Sequence, residues 1–383
     1  MTKWGWFATV SAFLTSINFA PAQASGWKID QAQELRRAVV AAPQDALPLL
    51  DLRTFDTALA AGPGAALDEA ATALALQLAR LHLLGTTPAA RKAGWHIHDS
   101  DADHDLGAWL GQALASADFG AALRALRPAH PDYAALRAAY ATEPDAERKA
   151  IIARNMERWR WLPRTLGPDH VLVNIPFFEA RLWRGGNTAG TWPVIVGKTA
   201  TPTPIFTARI TGVTFNPWWH IPASIVRRHK GRFPANQGYV FANGRWSQRP
   251  GPFNVLGQMK LEMANPYSVL MHDTPNRALF EKERRDFSNG CVRTGDAIGF
   301  AASLLAPRMT RAQVDQAVAT GQTETVALPQ PVPVYVAYFT AQPVADGTIA
   351  VRPDLYRHDA RMAAGRAAKP IVVASGCEAP AAG

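Results

Sequence analysis

Near Trp161-Leu162-Pro163 the spacing of apolar residues changes from about 3.6 to 2, and this change constrains the fold more than any other feature. On the N-terminal side, Leu74, Leu78 and Leu81 recur at helical intervals in an Ala-rich segment that stops at Gly85. Tyr133, Leu136 and Tyr140 repeat the pattern, so residues 25–155 predict a helical domain. On the C-terminal side, Val171, Val173 and Ile175 alternate, Gly185-Gly186 marks a hairpin turn, and Trp192, Val194 and Val196 alternate again. ARITGVTF, PYSVLMH and VPVYVAYF read as further strands, and residues 295–319 as helix. Strands without regular helical crossovers predict an α+β chain: a helical scaffold domain followed by a mainly antiparallel, sandwich-like domain over 156–345. Trp218 to Lys260, rich in Gly and Pro, reads as a long irregular loop able to cover a site. Residues 346–383 read as an extension, mobile beyond about 366.

The ends and the charge narrow the function. Lys3, the apolar run Trp4–Ala20 and the small residues of Ala22-Gln23-Ala24 predict a signal peptide over 1–24, cleaved near Ala24, and hence an exported, periplasmic protein without stable membrane insertion. An uncleaved anchor is the alternative, although the run falls short of the ~20 residues that span a bilayer. Of 40 Lys+Arg and 31 Asp+Glu, residues 1–155 hold 14 and 16, so the second half carries the positive charge. Export and the lack of a basic run interleaved with aromatics exclude nucleic acid, leaving a carboxylate-rich polymer as the partner that suits both charge and address.

Two segments invite a site. WHIHDSDADHD, residues 95–105, gathers three His and four Asp, but a calcium loop would need Gly where His104 stands and Glu where Leu110 stands. It reads better as a solvated turn with Asp105 capping the helix DLGAWLGQAL. The second is NPYSVLMHDTPNRALFEKERRDFSNGCVRTGDA, residues 265–297. Its His272 ends an apolar strand, and 19 residues later Cys291 sits in Ser288-Asn289-Gly290-Cys291-Val292-Arg293. A thiol attacks a carbonyl as thiolate, so it needs a nearby base. Gly290 permits a tight turn whose N–H groups could stabilise an oxyanion, and Arg293 could fix the turn or bind a carboxylate. The chain has two cysteines, and the Ala/Pro/Gly-rich tail around Cys377 looks too loose to bring it to Cys291, so two reduced thiols are expected; a bridge is the alternative. Taken alone, a Cys/His pair at this spacing also fits a structural role.

The segment resembles the signature of the L,D-transpeptidase family with the YkuD-type catalytic domain, closest to the large subgroup with an HDTP…FSxGCVR pattern. Here that pattern is His272-Asp273-Thr274-Pro275 and Phe287 to Arg293. ERWRWLP at 157–163, TPTPIF at 201–206, NPWWHIPASI at 216–225, PGPFNVLGQMK at 250–260 and RPDLY at 352–356 extend the likeness. The resemblance implies Cys291 as nucleophile, His272 as base steadied by the Asp273 carbonyl, and oxyanion donors around Gly290 and Cys291. Ser288, Asn289 and Arg293 would shape the site and meet the substrate. The implied reaction is transfer of a peptidoglycan tetrapeptide stem through a thioester to another stem, a 3→3 cross-link, without metal or organic cofactor. The sequence departs from the pattern at Asn289, where relatives often carry His or Ser, at Leu270, where Tyr is common, and in having no room for a peptidoglycan-binding module. Alternatives are an L,D-carboxypeptidase, an enzyme attaching or releasing a lipoprotein, and a noncatalytic wall-binding scaffold. Oligomeric state is not legible in the sequence.

Overall fold

The structure, a computed structural model, describes residues 26–88, 91–92 and 94–364. The expected signal peptide, Cys377 and the tail beyond 366 lie outside the described residues. Among the described residues, seven α-helices come before strand β2: α1 Ile29–Ala41, α2 Arg53–Ala61, α3 Ala65–Leu84, α4 Leu106–Ala115, α5 Phe119–Arg124, α6 Pro131–Thr142 and α7 Ala146–Trp159. A short strand, β1 (Trp95–His96), falls between α3 and α4. Local chemistry sets the helix starts. Asp105, Asp118 and Asp145 each accept the N–H three residues on, at 3.0, 2.7 and 2.7 Å, satisfying donors that a helix start leaves orphaned. WHIHDSDADHD begins in strand β1, passes through a single 3-10 turn at Ser100–Asp103 and ends in the Asp105 cap.

The helices divide between two cores. Leu35, Val39, Phe55, Leu67, Leu78, Phe119 and Leu123 close one among α1 to α5. Tyr133, Leu136, Ile152, Met156 and Trp159, from α6 and α7, join the core of the sheet. The two halves meet at Asp45, whose fully buried carboxylate takes Arg137 Nε at 2.7 Å, Arg127 Nη2 at 3.0 Å and the Tyr133 hydroxyl at 3.1 Å. A buried carboxylate is stable only when ion-paired and hydrogen-bonded, which fixes α6 against the preceding turn.

The sheet is built from β2 His170–Asn174, β3 Glu179–Arg184, β4 Asn187–Gly197, β5 Ile205–Phe215, β9 Met259–Glu262, β10 Met271–His272, β11 Asp286–Ser288, β12 Val292–Thr294 and β13 Glu324–Ala337. Between β5 and β9 come β6 Trp219–His220, α8 Ala223–Arg228, β7 Tyr239–Ala242 and β8 Arg245–Gln248. The order β1-β5-β13-β2-β3-β4-β12-β10-β9, with a further β5–β9 pairing, makes the sheet close on itself. Gly185-Gly186 turns β3 into β4, as expected. The sheet is mixed, with parallel pairings β1–β5, β2–β13, β4–β11 and β10–β12 among the antiparallel ones. Helices α9 (Ala297–Leu305) and α10 (Arg311–Ala319) pack on it, and β14 (Ala341–Pro343), β15 (Ile349–Val351) and α11 (His358–Ala363) complete the described chain. No helix among the described residues is long and apolar enough to cross a membrane.

The segment 218–260 is not irregular. Strands β6, β8 and β7 form a small three-stranded sheet, and with α8 they make a cap. Asn243 and Gly244, both at positive φ (51° and 72°), form the two-residue turn that suits the twist of an antiparallel ribbon and join β7 to β8. Phe233 contacts Tyr239 and Trp246, each at 5.0 Å between ring centres. Two buried amides hold the cap to its stem. Asn254 donates to the carbonyls of Pro217 and Arg249, both at 2.9 Å, and Gln248 donates to Phe253 at 2.8 Å while accepting from Val255 N at 3.0 Å.

Candidate active site

The turn that carries Cys291 is held at both ends by β4. Before it, β11 pairs in parallel with Val196 and Gly197; after it, β12 pairs antiparallel with Ile195 and Val194. The reversal between these two directions falls on Gly290, at φ +107°, a conformation in which an L side chain is strained. Ser288, buried, ties the turn internally: its hydroxyl donates to the Cys291 carbonyl at 2.5 Å and accepts the Gly290 N–H at 3.1 Å. The Gly290 amide, expected as an oxyanion donor, is thus engaged within the turn. Asn289 is 6% exposed, and its Oδ1 lies 3.4 Å from the Thr201 hydroxyl.

Beside this turn runs β10, parallel to β12 with Met271 opposite Val292 and His272 opposite Arg293. One step back, Leu270 comes opposite Cys291, and the Leu270 N–H points at the Cys291 sulfur at 3.3 Å. His272 and Cys291 therefore project from the same face as diagonal neighbours, a spacing of about 7 Å between strand positions. Leu270 was noted in the sequence for the side chain it lacks; the part that meets the sulfur is its backbone amide. No side-chain pattern signals such a role.

His272 is fully buried. Its Nδ1 donates to the Asp273 carbonyl, which fixes the tautomer and leaves the Nε2 lone pair as the basic atom. Nε2 makes no well-aligned hydrogen bond among the described residues. Burial, reinforced by the Arg293 guanidinium, pushes the imidazole down to about 3, against the opposing pull of the Asp273 and Leu256 carbonyls. The ring is neutral at physiological pH, the form a base needs.

Asp273 contributes through its carbonyl; its carboxylate faces away, accepting the Gln258 N–H at 2.8 Å and Arg277 Nη2 at 3.1 Å. Burial holds this carboxyl above the ordinary range, despite those donors. Gly257 makes the close approach possible: a Cβ there would stand 2.4 Å from Asp273 Oδ2. Arg293 is 2% exposed, and burial lowers its guanidinium to about 10. It lies beside His272 as a buried charge beneath the site.

Cys291 is disulfide-bonded, and this corrects the expectation of a reduced thiol at that position. Cys377, the chain's other cysteine, lies outside the described residues. Cys291 is 3% exposed and packs with Trp219, Ile221, Ile225, Tyr239, Val255 and Leu256 of the cap and its stem. Next to it, a cleft of about 1540 Å³ opens between cap and sheet, lined by Trp218, His220, Phe241, Arg245, Lys260 and Leu270 among others. No group of His, Cys, Asp and Glu among the described residues could hold a metal ion.

The closed mixed sheet thus presents a Cys-bearing turn beside a neutral imidazole oriented by a backbone carbonyl. Residues 168–332 match the YkuD family, the L,D-transpeptidase catalytic domain, and residues 9–139 match the Scaffold domain family. A candidate L,D-transpeptidase of Haemophilus influenzae is 28% identical over 236 residues, 54% of this chain and 48% of the relative, so the chain spans about half the length of that protein. Among solved structures, a mutant L,D-transpeptidase of Enterococcus faecium aligns at TM-score 0.22 with 10% identity, over 45% of this chain and 50% of that one. L,D-transpeptidase 1 of Mycobacterium tuberculosis aligns at TM-score 0.23 with 14% identity, over 44% and 61%.

Proposed function

We propose that the protein is an exported, periplasmic peptidoglycan L,D-transpeptidase that forms 3→3 cross-links through a thioester on Cys291. The observation that carries this reading is the neutral, fully buried imidazole of His272, locked by the Asp273 carbonyl and projecting on the same sheet face as Cys291. Export rests on the N-terminal sequence, Lys3 followed by an apolar run and Ala22-Gln23-Ala24. The competent enzyme is the form in which the disulfide at Cys291 has been reduced, because the nucleophile is the thiolate, and a sulfur in a disulfide becomes one only when reduction breaks the S–S bond.

In the reduced enzyme His272 Nε2 takes the Cys291 proton and the thiolate attacks the carbonyl that joins the third stem residue to the terminal D-alanine. The Leu270 N–H, 3.3 Å from the sulfur, steadies the thiolate, and Arg293 keeps the imidazole from holding a proton before the thiol yields one. D-alanine leaves with the proton carried by His272. A stem amine then attacks the thioester, forming the amide and restoring the thiol. Chain residues suffice for every step. The cap must move or part at the cleft to admit a stem, since the sulfur is buried as it stands.

The test is mass analysis of products from purified tetrapeptide sacculi, with and without a dithiol reductant. Reduced protein should yield 3→3 dimers, oxidised protein few, and Cys291→Ala none. Tripeptides alone from reduced protein would mean a carboxypeptidase, and no product from folded, reduced protein would favour a wall-binding scaffold.

A further inference from the structure

Of the charged residues that line the cleft, Lys260 and Glu262 stand on the strand next to His272. Strand β9 runs antiparallel to β10 with Lys260 opposite His272. Continuing that register two residues places Glu262 opposite Leu270, the residue whose amide meets Cys291. Opposed residues project from the same face, so Arg293, His272, Lys260 and, across β5, Thr214 form one row, while Cys291, Leu270 and Glu262 form the next. At a strand spacing of about 4.8 Å, the Glu262 backbone lies roughly 10 Å from that of Cys291, with Leu270 between them.

Lys260 and Glu262 are paired at 2.6 Å and both border the cleft, with side chains 24% and 36% exposed. Glu262 is anchored from behind by the Thr214 hydroxyl, and Thr214 in turn meets Thr325 at 2.8 Å. Burial works against ionisation of Glu262, but Lys260 and Thr214 overcome it and hold the carboxyl below its ordinary range. Glu262 is the first acidic residue after the long basic stretch that begins at Pro217 and contains seven Lys/Arg and no Asp or Glu up to Leu261. A single carboxylate kept ionised at the inner end of a cationic wall is a poor feature for binding a plain polyanion, and a good one for binding a ligand that carries both signs.

We propose that Lys260 and Glu262 form the subsite for a zwitterionic amino-acid head group, Lys260 taking its carboxylate and Glu262 its ammonium. The inference rests on the transpeptidase reading and names what selects the acceptor. In the forward second step the acceptor is an amine on a carbon that also bears a carboxylate. The departing D-alanine has the same head group, and it leaves from the carbonyl the acceptor attacks, so one subsite serves both. The bound ammonium gives one proton to water; the resulting amine forms the C–N bond as the C–S bond breaks; its second proton passes through His272 to the sulfur. Binding the carboxylate at Lys260 fixes the amine's approach and disfavours water, which has no carboxylate to bind, as acceptor.

The experiment uses reduced full-length protein, tetrapeptide stems, and two amines: isotopically labelled D-alanine, read as exchange into the stem, and D-alaninamide, which lacks the carboxylate. Wild type should incorporate D-alanine at least tenfold better than D-alaninamide. In Lys260→Gln that preference should fall below threefold and hydrolysis should rise relative to transfer, while the rate of Cys291 acylation by a carbapenem stays within threefold of wild type. The exchanged pair Lys260→Glu/Glu262→Lys keeps an ion pair on β9 and so preserves any purely structural role; it should still lose the preference. Unchanged preference in both variants, with acylation intact, overturns the inference. Absence of acylation in reduced wild type would instead overturn the reading on which it rests.

Discussion

At the scale of single residues, the site depends on backbone groups as much as on side chains. The imidazole is aimed by the Asp273 carbonyl, the sulfur meets the Leu270 amide, and Ser288 uses both its donor and its acceptor to tie the turn. Gly257 shows how narrow the tolerance is, since its φ of +63° and the 2.4 Å approach to Asp273 both exclude a side chain. Gly257→Ala should cost about 1–3 kcal/mol by urea denaturation and slow Cys291 acylation by displacing the residue that orients His272; an unchanged midpoint and rate would remove Asp273 from the account. The neutral imidazole has its own signature. With His272 held at about 3, acylation between pH 5.5 and 7.5 should show no loss of base near the ordinary imidazole value of about 6.5. Initial rates that halve at pH 6.5, in protein still folded, would mean the imidazole is not buried as described. The sequence points to Cys291 and His272 because the proposed chemistry needs those side chains, and the structure brings them onto one face; Leu270 gives no such signal, because an amide is common to nearly every residue.

Elements carry the second level. The strands at 170–215 and 324–337 were readable from alternation, and the hairpin at Gly185-Gly186 from its glycines. The parallel pairings were not, because alternation reports that a residue faces a core but not which strand lies beside it. The cap was missed for a different reason. Its many Gly and Pro residues read as loop, yet Asn243-Gly244 between β-prone residues is a hairpin signal, and Gln248 and Asn254, which staple the cap, look like ordinary surface amides in sequence. Replacing Gly244 by Val should therefore loosen the cap alone. Amide exchange across 239–248 should quicken by tenfold or more, while exchange in β2 to β5 stays unchanged; uniform quickening would mean that the cap and the sheet unfold as one unit.

The whole molecule is joined by buried polar groups, and these set its response to acid. His82, His130, His272 and His358 are all depressed by burial, to about 3, 4, 3 and 4. In the unfolded chain each takes up a proton near pH 6.5, whereas the folded chain declines it until far lower pH, so between these values the unfolded state binds more protons and stability falls as pH falls. Asp99, raised to about 6 chiefly by burial, and Asp101 and Asp273, also raised by burial, oppose this in part. The urea midpoint should drop steadily from pH 6.5 to 4.5, and His82→Phe should flatten the slope; a midpoint that rises over this range would contradict the assignment of neutral buried imidazoles. The division into helical and β halves was legible from periodicity, but the sharing of α6 and α7 with the sheet's core was not, since a helix stripe does not declare its partner.

Reduction of the disulfide at Cys291 turns the description into a direct test of chemistry. Intact mass spectrometry of the full-length protein, incubated with a carbapenem before and after treatment with a dithiol, followed by peptide mapping, reads out the acyl-enzyme itself. The account predicts one adduct, confined to the reduced sample, carried by Cys291 and diminished at least a hundredfold in rate by His272→Ala. A reduced, folded protein that never acquires an adduct, or acquires it at the same rate without His272, would contradict it.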